Sequence, residues 1–382
     1  MRIFYITHTY SLRGGGGGEL FCSDFLKELS KRGHKIFVFT AKSDDFSAEE
    51  KSLGIEVFHA KSIGHHAFHK FEYLLQSRKA AELARQFKPD IIHAQNDAFP
   101  ALIGEKVKKA TKVPLVASIE YLSDRAVSVN LKIVFLFNKF FLPKIKFDRL
   151  VSWSQFVIDS YLLPWKIPKE KIVLIPGAVD VSTFLKKVFP HPKLVQFGKN
   201  LIVSAKPLHS TNAMGILQTI KAMKIVSRKF SEWKFVVIGD GEKRKWLEAA
   251  VIDLGLEKNV FFVGQIPAEE IPQVYASAEI VVHSFAFKAT TSIALIESMA
   301  AQKAIVATDF GEVANTVSDT AVLVQPNNPE SIAQGIIKLI ENPKLREELG
   351  KKARKRAVEN FSMAAIVEEF EKLYMELLAK NN

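Results

Sequence analysis

Five consecutive glycines, from Gly14 to Gly18, run directly into Glu19. An apolar run at residues 2–7 precedes them and a helical pattern follows. Glycine lets backbone N–H groups approach a ligand closely, and a helix start adds partial positive charge, so this loop suits an anion or a sugar. It is not a P-loop, because no Gly-Lys-Ser/Thr follows. It is a poor dinucleotide fingerprint, because Glu19 stands at the third glycine position. A plain flexible turn is the alternative. Lys206 closes the apolar run at residues 201–205 and precedes Pro207. A lysine there can neutralise a diphosphate, or it is an ordinary surface charge. Thr291 and Ser292 lead into an apolar helical pattern, where they can cap the helix and present free N–H groups to an anion. Glu297 lies in that helix, and its carboxylate suits the paired hydroxyls of a ribose. The alternative is a surface glutamate. His65, His66 and His69 invite a metal reading, since positions 65 and 69 share a helix face. No carboxylate or cysteine is spaced to complete such a site, so no metal is expected and a polar loop is the better account.

From Asn130 to Arg149 the chain carries Lys132, Lys139, Lys144, Lys146 and Arg149 against the single acid Asp148, with five phenylalanines. A basic amphipathic stretch of this kind can lie on an anionic membrane. A core-facing helix with solvated lysines reads equally well. No Gly-x-Ser-x-Gly elbow, His-Glu-x-x-His pair or calcium loop occurs. The aromatic and basic residues form no nucleic-acid module, so no nucleic-acid partner is expected. The net charge of +12 still favours anionic partners, and residues 1–180 hold +8 of it (27 basic against 19 acidic).

These groups need a frame. At 382 residues the chain exceeds one ordinary domain. Composition is that of a globular protein, with 48% hydrophobic and 25% charged residues, which excludes disordered, collagenous and coiled-coil classes. No uncharged apolar stretch of membrane-spanning length is present, and the N-terminus lacks a secretory leader pattern. Cys22 is the single cysteine, so an intrachain disulfide is impossible and a reducing cytoplasm is expected. Short apolar runs alternate with amphipathic stretches throughout. Gly33 stops the first helical pattern. Strands that read as continuous apolar runs belong to a parallel sheet covered on both faces. The chain therefore reads as α/β, with two doubly wound, Rossmann-like domains and a ligand cleft between them. Residues 1–185 form the first domain, residues 186–199 with Pro190 and Pro192 a linker, and residues 200–362 the second. A final helix at residues 363–382 places Ile366, Val367, Phe370, Leu373, Tyr374 and Leu377 on one face and packs back on the first domain.

Taken in order, these segments resemble the retaining GT-B glycosyltransferases of the group-1 or family-4 type, over nearly the whole chain. ELSKRGHKIFVFT (28–40) and KPDIIHAQ (88–95) match that family's first domain. FVVIGDGEKRKWLEAA, VFFVGQIPAEEIPQVYASAEIVVHS and ALIESMAAQKAIVATDFGEV match its second. No one segment is specific, but their order and spacing are. The resemblance implies a nucleotide-sugar donor in the second domain, a glycan or lipid-linked acceptor in the first, and no metal or other cofactor. It implies transfer with retention, at the cytoplasmic face of the membrane. On it, Lys206 stabilises the diphosphate and Glu297 the ribose. Gly16, Gly17, Asn212, Lys288, Thr291, Ser292 and Ile293 complete the donor side. Gly15, His93, Asn96 and Glu120 face the acceptor, and Glu120 touches it or acts as base.

Several positions depart from that pattern. The family's arginine is Lys206, which keeps charge but loses the bidentate fork. Its lysine falls on Thr211 or Asn212. The glutamate expected at 289 is alanine, with Lys288 beside it. The histidine expected after VPLVASI is Glu120, Gly177 replaces an asparagine, and Asn315 replaces a glutamate. An active transferase with an altered donor site is the leading reading. A scaffold that binds a glycan, lipid-linked sugar or partner subunit without transfer is the second. A sugar-nucleotide epimerase is the third. Donor base, sugar, acceptor identity and oligomeric state are not legible in the sequence.

Overall fold

The computed structural model describes residues 1–10, 17–43, 52–60, 72–120, 122, 129–184, 188–286 and 292–381. The chain divides into two compact units. The first comprises Met1–Ala178 and Met363–Asn382, and the second Val179–Ser362.

The first unit is built on a seven-stranded parallel sheet. Its strands are β1 (Arg2–Tyr10), β2 (Lys35–Ser43), β3 (Ile55–His59), β4 (Ile91–Asn96), β5 (Leu115–Ile119), β6 (Arg149–Ser152) and β7 (Ile172–Leu174). They lie in the order β3-β2-β1-β4-β5-β6-β7. Its helices are α1 (Gly17–Lys31), α2 (Ser77–Phe87), α3 (Ala98–Thr111) and α4 (Val129–Phe141). Ile3, Phe4, Tyr5 and Ile6 are all fully buried, as strands covered on both faces require. Gly33 adopts φ 86° where α1 ends, a left-handed turn that glycine takes without a side-chain clash. Asp97 caps α3 by accepting from Phe99 N at 2.9 Å, so β4 passes into the helix through one intervening residue.

The second unit holds a six-stranded parallel sheet of β8 (Leu201–Ala205), β9 (Lys234–Ile238), β10 (Val260–Gly264), β11 (Ile280–His283), β12 (Ala304–Thr308) and β13 (Val322–Val324). The order is β10-β9-β8-β11-β12-β13. Helices α5 (Ser210–Lys229), α6 (Arg244–Asp253), α7 (Ile271–Ser277), α8 (Ile293–Ala300), α9 (Val313–Val317), α10 (Pro329–Glu341) and α11 (Pro343–Phe361) flank it. The last helix, α12 (Met363–Asn381), belongs to the first unit. There Phe370 packs edge-on against Phe25 of α1, and Glu371 accepts from Arg32 at 2.8 Å and pairs with His34 at 2.7 Å.

Both sheets reverse strand order beside their first strand, between β1 and β4 and between β8 and β11. The carboxyl ends of the strands at such a switch point splay apart and leave room for a ligand. Two features differ from the sequence reading. The division between units falls after Ala178, earlier than the 185 expected. Residues 188–199 are also not a free linker. His191 is buried, donates its N–H to Ser277 Oγ at 2.8 Å, and pairs through Nε2 with Glu270 at 2.8 Å. Leu194 is fully buried with Val203 and Val236. The prolines here open a short helix at residues 192–195 that seals the second unit's core.

Candidate functional site

In the second unit, Lys206 follows β8 at the switch point. Its Nζ donates to Ser284 O at 2.9 Å, just past β11, and lies 3.8 Å from the Phe285 ring centroid. The side chain is 7% exposed. That burial lowers the ammonium from the usual lysine range to about 7. Two glycines allow the backbones to meet here. A methyl group at Gly215 in α5 would collide with Ser284 O, and one at Gly239 after β9 would collide with Lys206 O. Gly239 also has φ 128°, which favours glycine independently. Phe285 is fixed in turn, because its N–H donates to Thr308 Oγ1 at 2.9 Å.

From this lysine the contacts run to α8. The buried His283 is held neutral by burial and then by the Lys206 charge. Its Nε2 meets Ser298 Oγ at 3.0 Å. Glu297, next to Ser298, accepts from the Tyr275 hydroxyl at 3.3 Å, and the same hydroxyl donates to Ala294 O at 3.0 Å. Ser292 occupies the N-cap of α8, and its hydroxyl makes no cap bond. The contacts from Lys206 thus reach α8 at Ser298, beside Glu297, while Ser292 and Ile293 lie at the other end of that helix. Asn212 is engaged elsewhere, since Nδ2 donates to Pro207 O at 3.0 Å and pins the turn into α5.

In the first unit, the carboxyl edges of β1, β4 and β5 carry a second polar cluster. Thr7 Oγ1 donates to Thr9 O at 3.1 Å and accepts from Asn96 Nδ2 at 3.3 Å. Gln95 Nε2 donates to Glu120 Oε1 at 2.5 Å. A methyl group at Gly18 would strike Glu120 Oε2. The carboxyl at the start of α1 is thus the protein's own, where the sequence suggested an approaching anion or sugar. Burial pushes the Glu120 carboxyl up to about 7. The Gln95 hydrogen bond opposes this, and the nearby Asp97 and Glu19 charges add to it.

His93 does not face an acceptor. It is fully buried, with Nδ1 at 2.6 Å from the Tyr374 hydroxyl and Nε2 at 2.7 Å from Ser118 Oγ. Burial drives its pKa down to about 3, so it is a neutral pin between β4 and α12. Gly15, Gly16, Lys288, Thr291 and the histidines at 65, 66 and 69 lie outside the described residues. Among the described residues no cluster of three metal-ligating side chains occurs. Sequence reasoning missed Tyr275, Ser284 and Phe285. A backbone acceptor and a ring beneath an amine leave no spacing signature.

Helix α4 and the turn after it carry the basic stretch. Ile133, Leu136 and Phe140 are exposed at helical spacing, with Lys132, Lys139, Lys144 and Lys146 exposed around them. Phe137 and Asn138 face inward, where Phe137 stacks on Phe99 and Asn138 Oδ1 accepts from Ala98 N at 2.8 Å. Among the described residues no helix is long and apolar enough to cross a membrane.

Comparison with known proteins agrees with this architecture. Residues 15–183 match Glycosyltransferase Family 4, and residues 193–356 match Glycosyl transferases group 1. An uncharacterised glycosyltransferase of Methanocaldococcus jannaschii is 25% identical over the full length of both chains. The alpha-monoglucosyldiacylglycerol synthase of Streptococcus pneumoniae is 26% identical over 100% of this chain and 87% of its own. The crystal structure of Anabaena HepE in complex with UDP has the same fold, with a TM-score of 0.77 at 19% identity, over 98% of this chain and 100% of that one.

Proposed function

This chain is a glycosyltransferase of the GT-B fold, and we propose that it moves a hexosyl group from a nucleoside-diphosphate sugar to a hydroxyl of a glycan or lipid-linked acceptor. We propose retention at the sugar and no requirement for a metal ion or other cofactor. One observation carries this reading: a buried lysine at the switch point of the second unit, linked through β11 to the helix that carries Glu297. When the sugar leaves, negative charge develops on the departing diphosphate. The Lys206 ammonium, once the ligand's charge has drawn its proton in, and the helix start at Ser292 and Ile293 stabilise that charge, which is the largest lever available to such a site. Glu297, oriented by Tyr275, takes the ribose hydroxyls. The UDP held by HepE and the glucolipid made by the pneumococcal synthase support the donor and acceptor classes.

The acceptor side belongs to the first unit, and α4 supports a peripheral seat on an anionic membrane at its cytoplasmic face. Its exposed apolar stripe is flanked by lysines, which is the pattern of an interfacial helix. The test is calorimetry and turnover with UDP-, GDP-, ADP- and CDP-sugars, with and without magnesium. One nucleotide sugar should bind and turn over equally well with a chelator present, and Lys206→Ala should abolish both. Absence of nucleotide binding at millimolar concentration, or strict dependence on magnesium, would overturn the reading.

A further inference from the structure

The polar cluster of the first unit holds two buried side-chain oxygens without partners among the described residues. Gln95 is fully buried, and its Oε1 has no partner among the described residues while one N–H of its Nε2 goes to Glu120. Asn96 repeats the arrangement, with one N–H of Nδ2 going to Thr7 and Oδ1 unpartnered among the described residues. Asn96 also holds φ 103°, a left-handed backbone that costs energy for a residue with a side chain. Buried acceptors left unpaired cost about 1–3 kcal/mol each, so such groups in a folded protein call for an explanation. Here they sit together at a switch point, beside the half-buried carboxyl of Glu120.

The chemistry of these oxygens is directional. Spare oxygens are satisfied only by donors, and a hydroxyl brings a donor to each of them. A phosphate dianion brings acceptors alone. It would leave Gln95 Oε1 and Asn96 Oδ1 unpaired and would meet Glu120, with the Asp97 and Glu19 charges acting on the same carboxyl. The start of α1, the natural seat for an anion, already lies under Glu120 Oε2.

We infer that the carboxyl edge of the first unit's sheet binds an uncharged, hydroxyl-bearing acceptor through Gln95, Asn96 and Glu120, and rejects its phosphorylated counterpart. This rests on the reading of the first unit as the acceptor side. It narrows the acceptor to a neutral sugar or glycerol-type end group at the point of contact. Any phosphate in the same acceptor molecule must lie away from this edge.

The test is ligand-observed NMR on the full chain, which needs no donor and no turnover. The probes are methyl α-D-glucopyranoside against glucose 6-phosphate, and glycerol against glycerol 3-phosphate. UDP binding is measured on the same samples. The neutral member of at least one pair should bind about tenfold or more tightly than the phosphorylated one. Glu120→Gln keeps the shape and removes the charge, so it should narrow that ratio severalfold. Gln95→Leu should weaken the neutral probe, with the thermal midpoint recorded to confirm folding. Equal or tighter binding of the phosphorylated probes would overturn the inference. So would a ratio unmoved by Glu120→Gln, or failure of every probe while UDP binds normally. Loss of UDP binding with the probe pattern intact would instead sink the transferase reading and leave the hydroxyl site standing.

Discussion

A lysine buried before its ligand arrives must acquire its charge when the ligand binds. With a pKa of about 7 in the unliganded protein, Lys206 is roughly half protonated at pH 7 and about one-thirtieth protonated at pH 8.5. A diphosphate beside it favours the ammonium and takes up the missing proton. If binding requires that ammonium, nucleotide affinity falls roughly tenfold or more between pH 7 and 8.5, on the order of 1–2 kcal/mol. Phosphate groups with a last ionisation near 6 are already fully charged across this window, so the loss is not the ligand's own. At pH 8, about 0.9 proton should enter per nucleotide bound, read as a buffer-dependent enthalpy in calorimetry. Lys206→Arg keeps a permanent charge and should flatten the pH profile, whatever it does to absolute affinity. The unliganded protein gives the matching stability test. The unfolded chain keeps this proton up to about 10.5 and the folded chain only to about 7, so stability from this group rises with pH between those values. At pH 7 the buried charge costs up to about 4 kcal/mol, and Lys206→Met should raise the thermal midpoint while abolishing nucleotide binding. A flat affinity profile, no buffer dependence, or an Arg variant with the wild-type slope would refute the reasoning.

Gly215→Ala should destabilise the second unit by about 1–3 kcal/mol in urea unfolding, because the new methyl meets the backbone of Ser284 rather than a movable side chain. The same displacement removes the acceptor of Lys206, so nucleotide binding should weaken in the folded fraction. Tyr374→Phe should cost about 1–3 kcal/mol by leaving His93 Nδ1 unpaired, with unchanged stability counting against the pin. Wild-type stability should also fall as pH drops from 6.5 towards 3, since the unfolded chain protonates His93 in that window and the folded chain does not. Lys139→Glu, Lys144→Glu and Lys146→Glu together should release the protein from vesicles rich in phosphatidylserine and leave nucleotide binding intact. Undiminished vesicle binding would remove α4 from the membrane reading.

Much of the frame was legible because burial on both faces of a parallel sheet leaves a mark in the chain. β1, β5, β8, β9 and β11 are short apolar runs that can hardly be anything else. β3 carries no such mark, because an edge strand need not be apolar throughout and only Ile55 of its five residues is buried. Residues 186–199 read as a linker in the sequence for a related reason. Proline and charge mark a break in regular structure, but the burial of His191 and Leu194 is decided by Glu270, Ser277 and the core around Val203, all distant in sequence. Lys206 and Glu297 could be picked out by position at a strand end and in a helix near its start. What makes them chemically distinct could not, because it comes from a carbonyl oxygen, a ring face and a tyrosine hydroxyl brought in by other elements. The first unit shows the limit most clearly. A glycine loop before a helix argues for an anion or a sugar on general grounds, and the family resemblance places His93 on the acceptor side. Tertiary structure turns His93 into a packing residue and puts Glu120 over the helix start, so the oxygens of Gln95 and Asn96 become the groups awaiting a partner. The preference of a site for hydroxyl over phosphate is set by which polar atoms are left over after folding, and that remainder is a property of the whole sheet edge rather than of any motif.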